Sequence, residues 1–329
     1  MTSDAHKSNV RQEYVSAADD GIRLDRWFKQ HVPDLPYGRL QKLLRTGQVR
    51  VNGKRAKADI RLEKGALIRI PPIQQSDDKP QKKKTAPRKE DAEFLRQAIL
   101  YQDDWVIAIN KPPGLAVQGG SKTSRDLDGM LDALKFKAEE RPRLVHRLDK
   151  DTSGVLLLAR TRKAAQALTK AFASKDIRKI YWALVVGNPE HDEGEISSLL
   201  SKQGATRGER MESGDMGQKA VTDYVRVDHA GTRAAWLALM PRTGRTHQLR
   251  VHCANMETPI VGDGKYGGAE AYIEGLSKKM HLHARQLTLP HPRGHGMLDI
   301  TAPLPDHMQQ SWAFFEFDER DALDVFEDD

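Results

Sequence analysis

The sequence predicts an α+β protein in two folded parts. A small α/β module leads into a larger domain whose mixed, largely antiparallel central sheet is flanked by helices. Three observations carry that expectation. The stretch PPIQQSDDKPQKKKTAPRKEDAE, from Pro71 to Glu93, is nearly empty of large apolar residues and cannot bury enough surface to offset its ordering entropy. The residues before it switch from helical to period-two patterning within about fifty positions. After it, strand-length apolar runs and helical patterns mix without a regular βαβ repeat, which argues against a doubly wound sheet. The expected boundaries are 15–71 for the module, 72–93 for a flexible linker, 94–315 for the large domain and 316–329 for an acidic tail.

In the module, Leu24, Trp27, Phe28 and Val32 fall at helical spacing, as do Leu40, Leu43 and Leu44 in a second helix beginning after Pro36. Gly47 is placed to end that helix. Val49-Arg50-Val51 alternates, and Asn52-Gly53 is a two-residue hairpin turn. Ala66–Ile70 makes a last strand that Pro71 and Pro72 stop. In the large domain Trp105–Asn110, Val155–Ala159, Tyr181–Val186 and Ala234–Met240 read as buried strands, and Leu127–Phe136 and Ala164–Ala173 as helices.

Composition narrows the class. The 329 residues carry 53 basic and 46 acidic side chains, a net charge of +7. The charge is unevenly placed. Gly21–Ile70 holds thirteen Lys/Arg against four Asp/Glu, and Glu316–Asp329 holds eight acidic residues against Arg320 alone. So basic a module suits a polyanion such as a nucleic acid, and on charge alone a solvated surface without a partner is as good a reading. No apolar run is long enough to span a bilayer, and Met1–Gln12 has no apolar signal core. The single cysteine, Cys253, excludes an internal disulfide and a paired-cysteine zinc site, and it reads as a core residue. A reducing, cytoplasmic compartment is expected. No GxGxxG follows a strand and no GxxxxGK[ST] occurs, so a nucleotide cofactor has no support. His281, His283, His291 and His295 lie among Leu and Pro with no HExxH pattern, so no metal site is expected.

The densest polar constellation is LVHRLDKDTSG, Leu144–Gly154, leading into the strand VLLLA. A polar loop feeding a buried strand can hold a catalytic group rigidly. It is also rich in turn formers, and a plain turn accounts for it equally well. An ionised Asp there serves as a nucleophile or a base. Asp149 and Asp151 are both candidates, and chemistry alone does not separate them.

LVHRLDKDTSGVLLLAR resembles the signature of the pseudouridine synthases that act on ribosomal RNA and some transfer RNA. LYQDDWVIAINKPPGLAVQGG, RKIYWALVVG, PRTGRTHQLRVHCANMETPIVGDGKYG and HLHARQLTLPHP resemble further segments of that family, in the same order. The module, through RLDRWF, GRLQKLLRTGQVRVNGKRAK and ALIRIP, resembles the S4 RNA-binding domain. The resemblance implies that Asp149 is the catalytic aspartate and that Arg147 enters the helix where the target base leaves. It implies that Tyr181 lies against the flipped base, that Arg250 pairs with the catalytic carboxylate in a bidentate contact, and that Leu282 lines the pocket. In the module it implies RNA contacts by Arg39, Lys42, Arg45, Arg50, Lys54 and Arg55. It further implies a monomer that acts without cofactor or metal on RNA, 23S ribosomal RNA or a large-subunit precursor. Two other readings stand beside it: a non-catalytic RNA-binding or ribosome-assembly protein, and the same enzyme acting on transfer RNA. An aspartate-based glycosidase leaves the basic module without a role.

Overall fold

The strand-length apolar runs become the centre of an eleven-stranded sheet, because each is buried on both faces. A computed structural model describes residues 10–33, 35–72, 89–119, 125–174, 177–203, 210–322 and 325–326. The chain divides into two units, 1–83 and 84–329. No helix among the described residues is long and apolar enough to cross a membrane.

The first unit contains β1 (Arg11–Tyr14), α1 (Leu24–His31), α2 (Tyr37–Arg45), β2 (Arg50–Val51), β3 (Lys54–Arg55) and β4 (Leu67–Ile70). The strands form one antiparallel sheet in the order β1-β4-β2-β3. Leu24, Trp27, Phe28, Leu40, Leu44 and Ile68 fill its core. Asn52 and Gly53 turn the hairpin with φ of 50° and 75°. The Asn52 side-chain oxygen accepts from Leu67 N–H at 2.7 Å, tying the hairpin to β4. The unit starts earlier than residue 15, because β1 pairs along β4. RQEY carries no alternating apolar signal, so only its backbone bonds reveal it as a strand.

The second unit runs α3 (Lys89–Gln97), β5 (Ile99–Gln102), β6 (Val106–Lys111), α4 (Leu127–Met130), β7 (Arg143–Leu144), β8 (Ser153–Ala159), α5 (Arg162–Ala173), β9 (Arg178–Val186), β10 (Glu193–Lys202), β11 (Met211–Ser213), β12 (Gln218–Ala230), β13 (Ala234–Pro241), α6 (Gln248–Asn255), β14 (Leu282–Pro290), β15 (Met297–Thr301) and α7 (Asp306–Phe315). The sheet order is β11-β10-β12-β13-β9-β14-β8-β6-β5, with β15 on β14 and β7 on β8. The β8–β14 pairing is parallel and the others are antiparallel. The helix read at Leu127–Phe136 is α4 continued by a 3-10 turn, Leu131–Leu134.

Two further sequence boundaries move. Residues 73–88, most of the expected linker, lie outside the described residues, and 89–93 are the start of α3. That helix lays Leu95, with Ala92 and Phe94, on the core around Ile107 and Ile109; its charge-rich first turn hides it from a compositional reading. The acidic tail is not all tail. Phe317 and Phe326 pack into the aromatic core of Trp182, Trp236 and Trp312, and Glu319 pairs with Arg285 at 2.9 Å.

Alternation sorts the core onto two sheet faces. Trp182 and Leu184 of β9 and Trp236 of β13 face the aromatic cluster under α7. Ala183 and Val185 of β9 and Leu237 and Leu239 of β13 face α6. Tyr181 lies on the α6 face, packed against both clusters found there. Ala284 of β14 pairs with Gly154 on one side and Tyr181 on the other. The polar loop that ends at Gly154 therefore enters the sheet two strands from Tyr181, roughly 9.5 Å in backbone spacing.

Gly154 makes that junction possible. Its φ is +109°, and a Cβ there would sit 2.2 Å from the Ala284 carbonyl oxygen. Gly154→Ala combines a disfavoured backbone conformation with a clash against a central strand. It is expected to lower unfolding stability by about 3 kcal/mol or more. Urea denaturation followed by tryptophan fluorescence measures the loss.

Candidate active site

A cavity of about 780 Å³ opens on the second unit, lined among others by Arg147, Asp149, His247, Arg250, Lys265 and Met280. The loop carrying Asp149 is fastened from three directions. His146 accepts the Leu157 N–H of β8 at Nε2 (2.8 Å) and stacks on Phe172, and burial pushes its pKa down to about 3, so it is neutral. Gly114 N–H donates to the Lys150 carbonyl at 2.9 Å. The Lys111 ammonium, buried at the end of β6, donates to the carbonyls of Pro112, Leu115 and Lys150 at 2.8, 2.9 and 3.0 Å. Burial pushes the Lys111 pKa down to about 7, against the attraction of Asp151 and Asp149. Three carbonyl acceptors fit the charged form, which alone offers three protons.

The opposite wall comes from the turn between β13 and α6. Gln248, buried at its head, uses its whole amide. Its oxygen accepts from the Thr243 hydroxyl (2.7 Å) and Arg245 N–H (3.0 Å), and its nitrogen donates to the Val221 carbonyl and the Thr222 hydroxyl, both at 2.9 Å. His247 precedes it in the left-handed region, φ 54°. One turn on, Arg250 forms a bidentate pair with Asp263, Nε–Oδ2 2.7 Å and Nη2–Oδ1 2.6 Å. Asp263 is almost completely enclosed, with 1% of its side chain exposed. Burial works against the Arg250 charge, but the hydrogen bonds and charge of Asp263, with the charge of Asp149, more than offset it and its pKa is raised.

Asp149, with 20% of its side chain exposed, faces this wall. Its Oδ2 lies 3.9 Å from Arg250 Nη1 and 3.8 Å from His247 Nε2. The bidentate partner of Arg250 is thus Asp263, not Asp149 as the resemblance implies: Asp263 is the carboxylate that is desolvated with it. Asp151 sits exposed at the rim, so environment separates two aspartates that residue chemistry could not. Arg147 is exposed at the same rim. Tyr181 does not line the cavity. Its phenol is buried on the same sheet face, and burial followed by the negative charge of Asp149 drives its pKa upward. Leu282 is a further correction: it is 3% exposed in the core between β9 and α6, and Met280, just outside the strand, lines the cavity instead.

In the first unit, Arg39, Lys42 and Arg45 lie on α2, and Arg50, Lys54 and Arg55 on the β2–β3 hairpin. Lys42, Arg45 and Lys54 are exposed. Arg50 is partly committed to the fold, donating to the Gly47 and Gly53 carbonyls at 3.2 Å. The histidines of the last segment have protein partners: His281 with Ser311, His283 with Ser153 and Ala302, His291 with Asp103.

Sequence reasoning left out Lys111, His247, Gln248, Asp263 and Tyr266. Their signal was present as polar density in INKPPG, TGRTHQLR and GDGKYG, but their roles depend on contacts between separate segments, from Lys111 with Lys150 to His247 with Asp149.

The sequence pattern of the RNA pseudouridylate synthase family matches residues 105–255. The chain belongs to that family, whose members isomerise uridine to pseudouridine in RNA. It is 34% identical to ribosomal large subunit pseudouridine synthase C of Vibrio cholerae, over 91% of this chain and 95% of that protein. It is 36% identical to the mitochondrial RNA pseudouridine synthase 4 of Arabidopsis thaliana, over 87% of this chain and 78% of that one. Among solved structures, human RNA pseudouridylate synthase domain containing 4 superimposes with a TM-score of 0.57 at 29% identity, covering 68% of this chain and 95% of the human one.

Asp263→Asn keeps the shape of the buried partner but removes its charge. It is expected to cost about 3 kcal/mol of stability, since an unpaired guanidinium stays buried. The single-turnover rate should fall about 10–100-fold as Arg250 loses its anchor, with RNA affinity little changed. Denaturation and rapid-quench assays measure the two effects.

Proposed function

We propose that this pseudouridine synthase acts on RNA of the large ribosomal subunit, with Asp149 carrying the chemistry. The observation that supports it best is the convergence of a buried, Asp263-anchored Arg250 and of His247 on one oxygen of Asp149, at a cavity large enough for a nucleotide. Relatives named for the ribosomal large subunit match nearly the whole chain and support the substrate class.

The reaction breaks the N1–C1′ bond, turns the uracil and forms C5–C1′; the C5 proton is lost and N1 gains one. No atom or electron is exchanged with a co-reactant. Asp149 attacks C1′, or removes a sugar proton to give a glycal. Both routes use the ionised carboxylate. A stacked uridine is unreachable, so it must leave the helix at a cost of a few kcal/mol. Arg147, exposed at the rim, is placed to fill the gap. Tyr181 holds its proton at neutral pH because burial and Asp149 oppose the phenolate. It therefore enters the reaction as a packing and hydrogen-bonding phenol, which cannot take the C5 proton while it holds its own.

The first unit supplies S4-type binding to structured RNA in this reading, through phosphate contacts that add affinity but little chemistry.

Asp149→Asn is expected to lower tritium release from 5-³H-uridine RNA by more than about 10³-fold while RNA binding persists. Appreciable turnover by this variant would remove Asp149 from its role. Changing exposed Lys42, Arg45 and Lys54 together to Gln should weaken RNA binding and reduce the slope of log K against log salt by about one per lost phosphate contact. Filter binding at several salt concentrations decides it; an unchanged slope means that this face does not meet RNA.

A further inference from the structure

Tyr266 lies on the segment after α6 and joins three parts of the second unit. Its hydroxyl accepts the backbone N–H of Met211, from β11, at 3.0 Å. The same hydroxyl is 2.7 Å from His247 Nδ1. Its ring carries the guanidinium of Arg210, beside β11, at 5.5 Å and that of Arg250 at 5.0 Å. His247 in turn presents Nε2 to Asp149 Oδ2 at 3.8 Å. Tyr266 has no part in the chemistry assigned above, and no proton has been assigned to His247.

Hydrogen-bond accounting favours one arrangement of protons along this chain. The Tyr266 oxygen already accepts from Met211, so its own proton needs an acceptor, and Nδ1 is the atom within reach. An imidazole that accepts at Nδ1 carries its proton on Nε2. The other end agrees independently. A bare Nε2 lone pair would face the Asp149 carboxylate, whereas an N–H is attracted to it. Burial, which disfavours the imidazolium, lowers the His247 pKa. Asp149 from the catalytic loop and Asp263 from the segment after α6 work against that, and Arg250 of α6 and Lys265 reinforce it. Burial raises the Tyr266 pKa, so the phenol keeps the proton it donates. His247 holds left-handed backbone geometry, φ 54°, a region that non-Gly residues seldom visit but that His enters more often than most.

We propose that Tyr266 is a positioning residue that locks neutral His247 with its proton on Nε2, so that Nε2–H and Arg250 together orient one oxygen of Asp149 for reaction at C1′. The Met211 N–H makes β11 part of the same device. The 3.8 Å gap to Asp149 closes to a hydrogen bond when RNA fills the cavity, since catalytic contacts are often long in the free enzyme. The inference rests on Asp149 being the reactive carboxylate.

The test combines a spectroscopic and a kinetic arm on the full chain. In ¹⁵N-histidine-labelled wild type, long-range ¹H–¹⁵N correlation should show His247 protonated on Nε2, and Tyr266→Phe should shift it toward a tautomeric mixture. In single-turnover reactions on 5-³H-uridine RNA, Tyr266→Phe should lower the rate about 10–100-fold with RNA affinity unchanged. Losing a donor to neutral Nδ1 lets the imidazole protonate more easily, so its pKa rises and the acidic limb of the pH–rate profile moves to higher pH. His247→Gln, which supplies an N–H near Nε2 and does not titrate, should keep more activity than His247→Leu and lose that acidic limb. An Nδ1–H tautomer in the wild type, or a Tyr266→Phe profile with an unmoved limb, overturns the proposal. Turnover by Asp149→Asn would instead overturn the assignment of the carboxylate, and the tautomer measurement still reads the lock.

Discussion

The buried Arg250–Asp263 pair is the constraint on which the catalytic wall depends. Taking a guanidinium and a carboxylate out of water costs several kcal/mol per ion, and only close, bidentate geometry recovers it. The two short bonds supply that geometry, and they fix the planar group that faces Asp149. Arg250 reaches this position because Gln248 pins the start of α6 to β12, and Asp263 because it follows the same helix. A lysine at 250 would keep charge and lose the fork, so it would hold neither partner with the same orientation.

The sheet supplies the other half of the site. Ala284 is the shared neighbour of Gly154 and Tyr181, so the loop bearing Asp149 and the strand bearing Tyr181 cannot move apart without breaking the sheet's one parallel junction among the described residues. That junction tolerates no side chain at 154. The glycine closing HRLDKDTSG is thus a packing requirement of the sheet, and the loop before it inherits its rigidity.

Much of this was legible in the residues. The four apolar runs became strands β6, β8, β9 and β13, because continuous apolarity at strand length signals burial on both faces. The Asn-Gly turn, the two helices of the first unit and the helix Arg162–Ala173 follow local patterning, and the last is capped by Thr161 on Ala164 N–H. What stayed hidden was non-local. β1 has no apolar alternation, α3 is masked by its charges, and Phe317 and Phe326 are drowned by acidic neighbours. The motif register placed Asp149, Arg147 and Arg250 around one cavity, and Arg250 does lie 3.9 Å from Asp149, but its bidentate partner is Asp263. A sequence shows that an arginine and two aspartates exist; only burial decides which one is desolvated with it. Leu282 opens β14 inside the core, while Met280, two residues before it and outside the strand, reaches the cavity wall.

The detour of Arg250 through Asp263 has a catalytic logic. A bidentate bridge straight to Asp149 would occupy both carboxylate oxygens and stabilise the ground-state anion, which either route proposed for Asp149 must give up. Interactions stronger in the ground state than in the transition state raise the barrier. At 3.9 Å and an effective dielectric near 20, the attraction between the charges is about 4 kcal/mol. That attraction holds one oxygen of Asp149 without tying up the second. Asp263 absorbs the donors that would otherwise close on Asp149, so the site keeps a cation beside the proposed reactive carboxylate and leaves its second oxygen open. The same reasoning gives His247 its place: a neutral N–H on the same oxygen orients Asp149 without adding a second full charge to hold it back.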